Sequence, residues 1–554
     1  MAATFPSLIH SRLVEALGKT SVGADLPDGF SPAVEIAQNK QFGDYQTNAA
    51  MVLAKVAKKN PRELAAEIVE AFDNAGLTDK PEIAGPGFIN FRLISEVLTD
   101  RIGLMLNDDR LGVDAFAESQ TVVVDFSAPN IAKPMHVGHI RSTIIGDSLC
   151  RVARFLGHNV IGDNHIGDWG TQFGMILYGW KNDLNTDALA ADPVSELLRV
   201  YRDINAKCKE DESLREVCKE ELVKLQAGDE ENLKIWEQCV EVSKQGLNKI
   251  YQRLDVEFDH WLGESFFNDR LGPLVADMLE KGHAEESDGA VCVFYRDHDK
   301  LADHPAIIRK SDGGFLYATT DLATIDYRVE AWKADAIWYV VGAPQELHMK
   351  QVFEAAKRRG HHEVALDFVP FGSILGKDRK MLRTRSGDTV QLADVLDEAV
   401  QRALAAVEEK NPEFSEEEKQ QIAEAIGVGA VKYAELSQFR MTDYIFDWDN
   451  MLALKGNTAP YLINAYVRTR AIFRKLGSDF QGVGELVLEE DAEKALALKL
   501  AQYAEIVPSV LSDFRTNVLA TYLYETAAAY HKFWEACPVL KAEGAVKESR
   551  LAMC

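Results

Sequence analysis

The chain has 554 residues, 47% of them apolar and 27% charged, a length for about three to four domains of ordinary globular composition. No apolar run approaches the ~20 residues of a membrane span, and the start MAATFPSLIHSRLVEALGK lacks the basic opening, continuous apolar stretch and small-residue cleavage site of a secretory signal. Seven scattered cysteines with no C-x-x-C pair argue against a zinc ribbon or disulfide framework, and a net charge of −26 argues against wrapping nucleic acid by bulk attraction.

In chain order, residues 1–117 mix helical and strand signals. NAAMVLAKVAKKNPRELAAEIVEAF predicts two helices divided near Asn60-Pro61, and AGPGFINFRL (84–93) a turn followed by an alternating strand. TVVVDF (121–126) has the β-branched pattern of a buried strand. A helix follows, with Ile140, Ile144, Ile145, Leu149, Val152, Phe155 and Leu156 at helical spacing; it ends at Gly157, and a second apolar segment begins at Asn159. Strand, turn, helix, strand opens a parallel α/β sheet. Residues ~194–255 are charged and amphipathic, a helical insertion. Sheet signals resume at AIWYVVGAP (336–344), pass through the helix HMKQVFEAAKRRG, and return at ALDFVPFGSIL (365–375). From about Leu392 onward the pattern is helical, with EEKNPEFSEEEK (408–419) as an exposed turn. Two basic clusters stand out of the acidic whole: KDRKMLRTR (377–385) and RTRAIFRK (468–475).

SAPNIAKPMHVGHIRST (127–143) sits at the carboxyl end of the first strand, where an open α/β sheet binds its ligands. The following helix offers free N–H groups and a positive dipole end, which suits phosphate. His136 and His139, three apart, share the face of the first turn, and each imidazole can donate to a phosphate oxygen. Gly138 leaves room for a flat ring or ribose, Lys133 adds a mobile charge for a polyphosphate, and Asn130 supplies a donor and an acceptor. Pro129 and Pro134 stiffen the loop. An H-x-x-H metal pair is the alternative, but no third ligand is evident nearby.

HVGH resembles the H-[IV]-G-H signature of class I aminoacyl-tRNA synthetases. FSAPNIAKPMHVGHIRSTIIGD followed by GDWGTQFG (167–174) resembles the arginyl-tRNA synthetase family in particular. FGDYQTNAA (42–50) and AGPGFINF (84–91) are similar to that family's additional N-terminal domain, and GNTAPYLINAYVR (456–468) to its helical anticodon-binding domain. The likeness covers nearly the whole chain in the family's order. It implies three domains: 1–117, additional and D-loop-reading; 118–391, a Rossmann-like parallel-sheet catalytic domain with the helical insertion; and 392–554, an anticodon-binding helical bundle. The chain stops at ESRLAMC (548–554), where the family continues through a further helix.

The resemblance implies ATP-dependent attachment of L-arginine to tRNA(Arg) through an arginyl-adenylate, with ATP bringing Mg²⁺ and no dedicated protein metal site, in a cytoplasmic monomer. His136 and His139 are then catalytic donors. GKDRKMLRTRSGD (376–388) stands where class I enzymes carry K-M-S-K-S and departs from it, so Lys133 is expected to compensate. Lys377, Lys380, Arg383 and Arg385 share the pyrophosphate charge, with Gly387 as a loop hinge. Arginine-recognising positions map onto Asp125, Asn130, Tyr317, Asp321 and Gln345, whose carboxylates and carbonyls complement a guanidinium fork. Ala128 stands where some relatives have Ser. Phe88 and Asn90, on one face of a strand, correspond to positions that meet a D-loop base. Tyr461, Arg468 and Arg470 are the expected anticodon contacts. A cysteinyl enzyme would need a Cys/His zinc site and a glutamyl enzyme a basic pocket. A non-catalytic RNA-binding paralogue should have lost the histidine signature that stands here.

Overall fold

Val122, Val123 and Val124 are fully buried in the strand Thr121–Asp125, the centre of a four-stranded parallel sheet. Its strands lie in the order Ala365–Phe368, Ala336–Tyr339, Thr121–Asp125, Asn159–Asp163. Tyr339, Asp125 and Asp163 stand in register at the carboxyl edge. From Thr121–Asp125 the chain moves to the strand on one side first and to the other side later, so the order reverses between Asp125 and Tyr339, the switch point at which such sheets bind ligands. The parallel-sheet expectation is met. The computed structural model describes residues 3–37, 39–170, 172–382, 390–477, 480, 482 and 484–554.

The helix Val137–Phe155 crosses back over the sheet with Ile140, Ile144, Ile145, Leu149 and Val152 buried. It lies close because Gly146 faces Phe126: a Cβ there would meet the ring at 2.3 Å. Gly157, at φ +94°, turns the chain after it, a conformation that favours glycine. The insertion is helical, as its pattern predicts: Pro193–Glu210, Glu212–Gln226 and Glu230–Leu254. A three-stranded antiparallel sheet, Glu285–Ser287, Ala290–Val293 and Ala306–Arg309, then precedes the helix Tyr317–Trp332.

The chain divides into two compact units. One is Ala115–Tyr461 with Val510–Thr521. The other joins Met1–Asp114 to Leu462–Ser509 and Tyr522–Cys554. The helical segment expected as one piece over 392–554 is thus shared between them. In the second unit, helices Ala49–Ala57 and Pro61–Ala71 divide at Asn60, whose side chain accepts from Arg62 N–H to cap the helix that Pro61 opens. The strand Phe88–Phe91 does not alternate in burial as expected. Ile89, Asn90 and Phe91 are all buried, because both faces of the strand are covered. Among the described residues no helix is long and apolar enough to cross a membrane.

Candidate active site

The loop between the first strand and its helix is held in an unusual backbone. Ser127, Ala128 and Ala132 all have positive φ, at 72°, 46° and 58°. Each costs of order 1–3 kcal/mol and persists only where surroundings over-determine it. Here they do. Ser142 Oγ accepts from Ser127 N–H at 2.8 Å and donates to Val340 O at 2.6 Å. Asn164 Oδ1 accepts from Ala128 N–H, and Ser243 Oγ accepts from Ala132 N–H, both at 3.1 Å. Ser127 Oγ also meets Thr143 Oγ1 and Tyr251 OH, at 2.8 and 2.7 Å. Strand, helix, neighbouring strand and insertion therefore fix one loop.

At its end His136 caps the helix. Its Nδ1 accepts from Gly138 N–H at 3.1 Å, while His139 Nδ1 accepts from His136 N–H at 3.0 Å. Both Nδ1 atoms are acceptors, so both protons reside on Nε2 and each ring is left with one N–H donor. The ring centroids are 3.9 Å apart. Burial lowers the pKa of His136. His139 falls to about 3 through burial, with the His136 charge adding to the effect, so this ring is neutral at pH 7. His136 lines a cleft of about 300 Å³, with the His139 ring packed behind it; the rest of the lining includes Gly138, Arg141, Gly342, Phe371, Ile374 and Met381. Pro344, also in the lining, precedes the exposed Gln345. Among the described residues no group of three or more His, Cys, Asp or Glu is placed to hold a metal ion.

Acids gather beyond the switch point. Tyr317 opens its helix and is 72% exposed; YATTD is helical, so Tyr317 and Asp321, four apart, share a face. Tyr317, Asp321 and Arg328 recur at i, i+4 and i+11, one face at ~100° per residue. Asp321 lies 2.5 Å from His348 Nε2. Arg328, fully buried, donates from one nitrogen to both Asp125 and Asp163, each at 2.7 Å. Burial disfavours its charge, but the two carboxylates outweigh that and hold it protonated. Arg328 therefore engages Asp125, whose pKa burial raises while the Arg328 charge opposes the rise. Glu264 belongs to the same acidic group. Burial raises its pKa, with His165 opposing and Asp168 and Asp321 adding to the rise. Asn130 is exposed, its Oδ1 lying where a Cβ on Gly167 would be 2.3 Å away.

Several expected residues stand elsewhere. Lys133 is not in the cleft: its Nζ lies 4.9 Å from the centre of the Tyr201 ring, a cation–π contact on the insertion side. Lys377 is exposed and 3.4 Å from Asp447, and Lys380 is exposed. Arg383, Arg385 and Gly387 lie outside the described residues. Asn90 is 4% exposed and donates weakly to Glu82 O at 3.5 Å, so its amide is not on offer to a base; Phe88 is half-buried. Arg468 is engaged by His531 at 3.0 Å and by the Trp534 ring at 4.5 Å. Tyr461 is half-buried and Arg470 exposed. Sequence reasoning missed Arg328, His348 and Glu264. Arg328, seven residues after Asp321, and His348, three after Gln345, carried a helical-spacing signal; Glu264 carried none.

A parallel sheet with paired imidazoles at the helix entrance beside its switch point defines a class I tRNA synthetase catalytic domain. Residues 101–448 match the family described as tRNA synthetases class I (R), catalytic domain. Residues 7–93 match the arginyl tRNA synthetase N terminal domain, and 462–554 the DALR anticodon binding domain. An arginine–tRNA ligase of Cellvibrio japonicus is 45% identical over 559 residues, spanning 99% of this chain and 95% of that one. One from Thermobifida fusca is 45% identical, spanning 99% and 96%. The arginyl-tRNA synthetase structure from Plasmodium falciparum superposes with a TM-score of 0.84 at 29% identity, covering 100% of this chain and 96% of that one. The chain belongs to the arginine–tRNA ligase family.

Proposed function

We propose that the chain attaches L-arginine to tRNA(Arg) at the cleft beside His136 and His139. An arginine carboxylate oxygen attacks the α-phosphorus of ATP. The bond to the bridging oxygen breaks, diphosphate leaves and arginyl-adenylate remains. A hydroxyl of the tRNA's terminal adenosine then attacks the adenylate carbonyl, and AMP departs. The observation that carries this reading is the tautomer pair: with both Nδ1 atoms held, two neutral Nε2–H donors are fixed in advance where charge spreads over phosphate oxygens.

Gly138 and the helix entrance admit the nucleotide. Lys377 and Lys380, with Arg383 and Arg385, supply positive charge toward the diphosphate, and Mg²⁺ arrives with the triphosphate. Asp321 and Tyr317 grip the guanidinium, with Glu264 as a further acid. Asp125, bridged to Asp163 by Arg328, backs the arginine pocket, and Asn130 and Gln345 meet the α-amino and carboxylate end. Phe88 stacks a D-loop base, and Tyr461 and Arg470 meet the anticodon arm. The active form is a monomer in the cytoplasm.

Lysine cannot form paired guanidinium contacts, which leaves buried carboxylates unsatisfied and gives the discrimination. The test is arginine-dependent pyrophosphate exchange, with and without tRNA(Arg), on the parent and Asp321→Ala. The variant is expected to raise the KM for arginine about 10²-fold while changing that for ATP little. Equal changes in both would remove Asp321 from substrate recognition. No exchange under either condition, with ATP and RNA still bound, would mark a non-catalytic RNA-binding protein.

A further inference from the structure

We infer that Arg141 is a positioning residue for the ATP side of the reaction, locking the helix that carries His136 and His139 to the strand Ile374–Leu375 on the opposite wall of the cleft. The inference rests on the reading of that cleft as the nucleotide site.

Arg141 follows His139 by two residues, so it leaves the helix on the far side from that ring, and it is 1% exposed. Its Nε donates to Glu435 at 3.0 Å and its Nη1 to Thr442 O at 3.0 Å. Its guanidinium carbon lies 5.4 Å from the centre of the Tyr444 ring, and Tyr444 OH donates to the other oxygen of Glu435. Tyr444 in turn belongs to the two-residue strand Tyr444–Ile445, paired in parallel with Ile374–Leu375. Tyr444 N–H donates to Ser373 O at 3.2 Å and Phe446 N–H to Leu375 O at 2.9 Å. Ser373 and Ile374 line the cleft, as do His136 and Arg141 itself. One guanidinium therefore ties the histidine helix to the opposite wall through one carboxylate, one backbone carbonyl and one ring.

Two features separate this from an ordinary core contact. A buried ion pair is a poor source of stability, since desolvation consumes most of the attraction and packed apolar side chains would serve as well. What a forked, directional pair adds is register. Second, the remaining nitrogen, Nη2, is buried without a hydrogen-bond partner. Such an atom costs free energy, and its residue borders the cleft. The helix is rigid over the turn and a half from Arg141 back to His136, so a shift at one end reaches the other.

The test uses the full chain with arginine, ATP and tRNA(Arg), pyrophosphate exchange expressed per titrated active site, and thermal midpoints in parallel. Arg141→Lys keeps the charge and loses the fork. It is expected to lower kcat/KM for ATP by about 10²-fold, the cost of an ångström-scale misplacement, with the KM for arginine unchanged within about twofold. Tyr444→Phe keeps the ring and removes one hydroxyl; about tenfold in the same direction is expected. Per-site constants like the parent's, with only the thermal midpoint or the active fraction reduced, would overturn the proposal. If Arg141→Lys does not fold, Tyr444→Phe decides by the same criterion. His139→Ala separates the two levels. If it retains exchange, the reading of the cleft has failed. If it loses exchange while Arg141→Lys and Tyr444→Phe keep parental constants, only the positioning role has failed.

Discussion

Gly138 is the smallest member of the site and among the hardest to replace. A Cβ there would stand 2.9 Å from both Cε1 and Nδ1 of His136, so Gly138→Ala pushes the ring off the N–H it caps. Losing a cap costs about 1 kcal/mol, and the displaced donor costs rate. Exchange is expected to fall about tenfold or more, with circular dichroism unchanged; parental exchange would show that the ring need not hold its cap. His348 sets a pH dependence. Burial lowers its pKa, but the hydrogen bond and charge of Asp321 more than offset this and raise it above 6.5. The stability this contact adds is complete below pH 6.5 and is lost as pH rises through the raised value. As His348 loses its proton, Asp321 regains a carboxylate free of an opposing cation. The KM for arginine is therefore expected to fall as pH rises above 6.5, and His348→Gln to flatten that profile. A parental KM that is flat or rises would contradict the assignment.

Between elements, the helix Tyr503–Ser512 meets the strand Tyr45–Thr47 through one buried carboxyl. Tyr45 OH lies 2.8 and 3.0 Å from the two oxygens of Glu505. Burial raises the Glu505 pKa to about 7, from 4.5. Between those values the folded chain binds more protons than the unfolded one, so this contribution is full below pH 4.5 and is lost as pH rises through 7. Glu505→Gln is expected to raise the thermal midpoint more at pH 8 than at pH 5; an equal shift at both would place the titration elsewhere. Elements of this kind were legible to different degrees. The strand TVVVD, the helix after HVGH and the helix pair split at Asn60-Pro61 each carry their own period and punctuation. The antiparallel strands within 285–309 are three or four residues long, too short to show a period. Phe88–Phe91 is covered on both faces, which erases alternation.

Across the whole molecule the same division holds. His136, Gly138 and His139 lie within four residues, and one helical turn makes their geometry readable from spacing. The partners that tune the site are far away in sequence: Arg328 lies 203 residues from Asp125, and Arg141 lies 294 from Glu435. Nothing local in either segment announces such a pairing, so spacing alone reveals neither the Arg328 partner of Asp125 nor the Tyr201 ring beside Lys133. The net charge of −26 likewise says little about a site assembled from two neutral imidazoles and a local acidic group. The central claim is that two fixed Nε2–H donors stabilise the charge of adenylation. It is tested most directly by the rate of arginine-dependent pyrophosphate exchange in His139→Ala, with tRNA(Arg) present and ATP saturating. A loss of about 10²–10³-fold in folded enzyme is predicted, the effect of removing one pre-oriented donor. Exchange at the parental rate would contradict it.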